Sequence, residues 1–188
     1  MSVLACKRNE SKIQYTATAN FIFDYVLMFM SRLSARYGRL LNNAVMRAAT
    51  DMLYNVEMAQ GIYPSTEEAL ERRRALLLDA NAALSVLDVL LGKCYDVMLK
   101  NPQGCFVTPS KKSVPADRAI TRLDSLAQNL GEAIDAEHKL IKGVLRSDRT
   151  KFKNGTYAAD NSDNDIDAEP VNFDIEKAKE MIDKVMAE

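Results

Sequence analysis

The stretch from Ser65 to Leu99 constrains this chain more than any other. Leu77, Leu84, Leu87, Leu91, Cys94 and Met98 recur at steps of seven, three and four, the spacing that makes one face of a helix a continuous apolar seam. At 1.5 Å per residue such a helix is roughly 50 Å long, and a rod with one apolar edge has to lie against other rods. Ser65 followed by Glu68 has the form of a capping box that opens it. Gly92 falls inside the span at a modest cost in helix propensity.

Three further segments carry the same period. From about Thr16 to Tyr37, one face holds Phe21, Tyr25, Phe29 and Leu33, and another holds Phe23, Leu27 and Met30. An apolar face wider than the single stripe a packed helix needs hints at self-association or a protein partner. From Arg39 to about Gln60, Leu41, Val45, Ala48, Met52 and Val56 predict a helix that Gly61 and Pro64 end, with Gly38 as the joint between the two. Residues 100 to 114 hold Pro102, Gly104 and Pro109 without apolar period and read as a loop. Pro115 suits the first turn of the next helix, along which Ile120, Leu123, Ala127, Leu130, Ile134, Ile141 and Val144 share a stripe as far as about Arg146.

Four long amphipathic helices with mostly short turns predict an all-α fold, an antiparallel four-helix bundle over residues 15–150. Residues 1–14 form an N-terminal segment, and residues 151–188 an acidic linker and short helix. The run "NGTYAADNSDNDIDAEPVN" is polar and poor in large apolar groups, as linkers are. In the closing stretch Ile175, Ala178, Ile182 and Val185 share a face. About 14 residues are marginal as an isolated helix, so this one is expected to dock on something.

The net charge of -1 hides a division. Residues 1–153 hold 22 Lys+Arg against 16 Asp+Glu, a net +6, while residues 154–188 hold 3 against 10, a net -7. A basic body thus carries an acidic tail, which is expected to compete with a polyanion for that body. Arg32, Arg36 and Arg39 lie at helical spacing. Arg72, Arg73 and Arg74 are adjacent, Arg118 and Arg122 are four apart, and Lys139, Lys142 and Arg146 follow at three and four. With Arg47, these are the candidate nucleic-acid-binding residues, because arginine forks match phosphate oxygens.

Other chemistry has little to build on. A carboxylate-bridged metal pair in a helical protein takes two Glu-x-x-His units, and His138 is the single histidine, so no metal or other cofactor is expected. Asp163, Asp165, Asp167 and Asp174 match part of a calcium loop, but the sixth place is Ala168 rather than glycine. A phosphate-cradling glycine loop and a nucleophile elbow are both missing from the sequence, and the chain is not expected to be an enzyme. Cys6, Cys94 and Cys105 have neither redox nor metal spacing and fit a reducing cytoplasm. The apolar "FIFDYVLMFM" is too short to span a bilayer and contains Asp24, so a soluble protein without a membrane partner is expected.

The segment "SARYGRLLNNAVMRAATDMLYNVEMAQGIYPSTEEALERRRALLLDANAALSVLDVLLGKCYD" resembles the accessory variability determinants of diversity-generating retroelements. These are relatives of the small four-helix-bundle proteins encoded in intervening sequences of bacterial ribosomal RNA genes. The shared features are the basic turn Ala35-Arg36-Tyr37-Gly38, an apolar helix ending near "AQG" and a long Leu/Ala-rich helix. The resemblance implies a homo-oligomer, a pentameric barrel of bundles, that binds RNA or DNA. It also implies association with the element's reverse transcriptase during error-prone cDNA synthesis from template RNA. The rival expectation is a helical adaptor that binds only protein.

Overall fold

The seam read between Ser65 and Leu99 is buried at every one of its six positions. A computed structural model describes residues 14–106, 114–155 and 173–187, and among them there are six helices and no strand. They are α1 (Gln14–Met30), α2 (Ala35–Gln60), α3 (Glu67–Leu99), the single-turn α4 (Pro102–Cys105), α5 (Ala116–Lys153) and α6 (Ile175–Ala187). The segment up to residue 13, including Cys6, lies outside the described residues, as do 107–113 of the expected loop. So does most of the acidic stretch, 156–172, with Asp163, Asp165 and Asp167.

Each long helix packs on two others: α1 on α2 and α5, α2 on α1 and α3, and α3 on α2 and α5. The seam of α3 meets that of α5, where Ala119, Leu123, Leu126, Leu130, Ala133, Leu140 and Val144 are buried. Two carboxyl side chains, Glu137 and Asp148, lie buried in the same phase. Helix α5 itself continues past Arg146 to Lys153, with Asp148 its last buried residue.

Several boundaries differ from the sequence reading. The joint between α1 and α2 is Ser31–Ser34, not Gly38. The chain leaves α1 through tightened bonds, with Arg32 N–H donating to the Phe29 carbonyl at 3.1 Å and Leu33 N–H to that of Met30 at 3.0 Å. Buried Leu33 anchors the turn, and Ser34 is extended ahead of α2. Gly38 is buried inside α2, its N–H donating to the Ser34 carbonyl at 2.8 Å. The cap of α3 is Thr66 rather than Ser65, since Thr66 Oγ1 accepts from the Ala69 N–H at 3.2 Å. Pro115 stands just ahead of α5 instead of within its first turn.

Helix α6 packs on α5. Its Ala178 and Ile182 are buried, and Phe173 just before it lies 5.7 Å from Phe21 of α1, ring centroid to ring centroid. The segment ahead of α6 therefore covers Phe21, on the first apolar face of α1, while Leu27 on the second is 47% exposed. Helix α3 is long and apolar enough to cross a membrane by length and composition, which the sequence reading had weighed only for the α1 stretch. Its seam faces the core, and Asp79 and Asp88 stand exposed along it.

Candidate nucleic-acid interface

Five of the candidate arginines belong to one end of the molecule. Arg32 emerges from the α1–α2 turn, Arg36 and Arg39 from the start of α2, and Arg118 and Arg122 from the start of α5. What ties these elements together is Phe106, on the α4–α5 connection and only 4% exposed. Arg32 Cζ stands 5.3 Å from the Phe106 ring centroid and Arg122 Cζ 5.7 Å, both within reach of the electron-rich ring. Burial lowers the pKa of Arg32; the Cys105 thiol opposes that and Arg122 adds to it. A guanidinium stays charged even so.

At the α1–α2 turn runs a groove of about 510 Å³ lined by Met30, Leu33 and Ala35 as well as by Ser31, Arg39, Asn42 and Asn43. A Cβ on Gly38 would meet the Asn42 side chain at 3.5 Å, an ordinary contact. The first turn of α2 has no acidic residue and Ser34 makes no side-chain cap bond. The positive end of the helix dipole therefore adds to the arginines around it.

The remaining candidates are dispersed. Arg36, Arg39 and Arg118 are exposed, as are Lys139, Lys142 and Arg146 farther along α5. Arg47 is exposed 3.8 Å from Asp51. Arg72 and Arg74 lie at the start of α3, with Arg74 3.3 Å from Glu71. That start is held at the far end of α2, roughly 40 Å from the first group for a 26-residue helix. The basic residues thus form separate patches.

Arg73 is corrected outright as a surface residue. It is 7% exposed, its Nε donates to Asp148 Oδ2 at 2.7 Å, and its Nη1 donates to the Ala59 and Ile62 carbonyls at 3.0 Å each. It closes the end of α2, where the Ala59 carbonyl also accepts from the Ile62 N–H at 3.2 Å. Next to it the Tyr15 hydroxyl donates to Gln60 Oε1, and burial pushes the Tyr15 pKa up to about 12.

Glu137 is fully buried, and among the described residues neither carboxylate oxygen has a hydrogen-bond partner. Burial raises its pKa well above the ordinary range, which favours the protonated form. His138 beside it turns to α3, its Nδ1 2.7 Å from Asn81 Oδ1, and its pKa is lowered by burial first and by Lys142 second. No group of three metal-ligating side chains occurs among the described residues. Comparison with protein-family models, with characterised proteins and with solved structures finds no match.

Proposed function

We propose that this chain is a non-enzymatic accessory protein that binds nucleic acid at the end where Arg32, Arg36, Arg39, Arg118 and Arg122 meet. The observation that carries the reading is that Arg32 of the α1–α2 turn and Arg122 of α5 lie over one buried ring, at the end that also presents Arg36, Arg39 and Arg118 exposed. Phosphate contacts need cations in fixed places more than a large net charge. The reverse transcriptase as partner, error-prone cDNA synthesis as process and the cytoplasm as location rest on the resemblance and the cysteine usage.

The arrangement that goes with this function is an antiparallel four-helix bundle. In its support, partners on α3 and α5 run in opposite senses: Arg73 with Asp148, Asn81 with His138, and Tyr95, whose hydroxyl donates to Asp124. Assembly into a homo-oligomer, a pentamer by the resemblance, fits the apolar residues left on the outside of α3, where Leu78, Val86 and Val89 are 47%, 55% and 62% exposed. The same residues favour the adaptor reading, in which partner binding is apolar and the charges only keep the chain in solution.

Fluorescence anisotropy of labelled RNA and DNA oligonucleotides, with wild type and Arg36→Glu/Arg39→Glu at low and physiological salt, separates the two. Nucleic-acid binding predicts salt-sensitive affinity that charge reversal abolishes. Affinity that ignores both salt and charge reversal would leave the adaptor.

A further inference from the structure

We infer that the outer face of α2 is a two-fold contact that pairs this chain with a second copy, the two α2 helices running antiparallel. Exposed apolar residues scattered singly over a surface mean little. On α2 they are not scattered. The large apolar side chains that the helix leaves exposed are Tyr37, Leu40, Tyr54 and Met58, at 38%, 71%, 60% and 38%, and all of them fall on one line. With Ala44, Arg47 and Asp51 between them and Gly61 just after the helix, they keep alternating steps of three and four along nearly the whole of α2. That is the repeat of a helix that packs along its length on another. Val45, Met52 and Val56 already face the bundle from the opposite side, whereas every member of the outer line is exposed.

The middle of the line identifies the partner. The side chains of Arg47 and Asp51 are 84% and 56% exposed, and their contact within the helix is a loose 3.8 Å. Packed on a second α2 in the same direction, Arg47 would face Arg47 and Asp51 would face Asp51, and like charges across an interface oppose it. Turned end for end about Ala49, midway between the two, each Arg47 faces the Asp51 of the other copy. The same turn, with no further adjustment, matches the remaining steps by size: Leu40 against Met58, Ala44 against Tyr54, and Gly61 against Tyr37. Each tyrosine so meets a small residue, as interdigitating helices require. A charged layer at the centre lowers the stability of such a seam but fixes its register and direction. An unrelated helix would have to reproduce the whole pattern, which a second copy brings by symmetry.

This contact is separate from the outer face of α3 invoked above for assembly, and it does not depend on nucleic-acid binding. The pairing sets the arginine-bearing starts of the two α2 helices at opposite ends of the assembly.

The test is the mass of the full chain by sedimentation velocity, for the wild type, Arg47→Glu, Asp51→Lys and an equimolar mixture of the two variants. Each substitution puts like charges at the centre of its own pair and should halve the wild-type mass, whatever else the chain assembles through. In the mixture every central contact is again between opposite charges, so the mass should return to that of the wild type. Both positions are exposed, and recovery on mixing shows in addition that each variant had folded. A mixture that stays apart would overturn the antiparallel register. A wild type of monomer mass would sink this contact and the homo-oligomer proposed above together, leaving nucleic-acid binding untouched, whereas an oligomer whose mass ignores both substitutions would sink only the contact on α2.

Discussion

The two ends of the molecule use the same side chain in opposite ways. At the end where α2 meets α3, Arg73 is drawn inside, with Asp148 and two carbonyls spoken for. At the end where α1 meets α2, Arg32 and Arg122 are only half withdrawn and lie over the Phe106 ring. The first arrangement locks three helices together. The second joins the α1–α2 turn to α5 through the ring, and the contrast shows that an arginine's role here depends on whether a carboxylate or an aromatic ring receives it.

The strongest way to break this comparison is Arg73→Ala. It would take the buried guanidinium away from Asp148 and from the Ala59 and Ile62 carbonyls, and losing one partner of a buried pair costs about 3–5 kcal/mol. Urea unfolding should show that loss, while Arg122→Ala should stay within about 1 kcal/mol of wild type. Equal effects would erase the distinction between the ends.

A smaller effect comes from the core between them. Glu137 has a raised pKa in the fold, so once pH passes the ordinary carboxyl range near 4.3 the unfolded chain has released a proton that the native chain still holds. Stability should then fall as pH rises, until the native carboxyl itself ionises. Glu137→Gln should remove that slope from urea midpoints measured between acid and mildly alkaline pH. A wild-type profile already flat over that window would mean the carboxyl is not held as described.

The smallest contrast lies in the caps. Thr66→Ala removes a side-chain bond to the Ala69 N–H and should cost about 1 kcal/mol. Ser34→Ala, at a cap that makes no such bond, should change the thermal midpoint hardly at all.

Much of the fold was legible because helix packing writes itself in a short period. The seam of α3 and the terminal face of α6 were read from spacing alone. The fate of Arg73 was written there too, since stepping back four residues from Leu77 lands on it, and the α5 seam likewise passes through Glu137 and Asp148. Three adjacent arginines look like a surface when counted as charge, and only their phase separates the inner one from its neighbours. Glycine as a breaker points to the wrong place for the α1–α2 joint, because a turn pinned by Leu33 needs none. Phe106 had no signal at all: it sits in a connection without period, and its partners come from the α1–α2 turn and from α5.

The contact between Phe173 and Phe21 bears on how such a chain comes into being. A 13-residue helix is too short to hold itself together in water, so α6 forms late, on a surface that α1 and α5 must already have assembled. During synthesis, Phe21 emerges well before the segment that covers it. Until then it is an adhesive spot, and a chain stopped short of residue 173 would keep that spot for good.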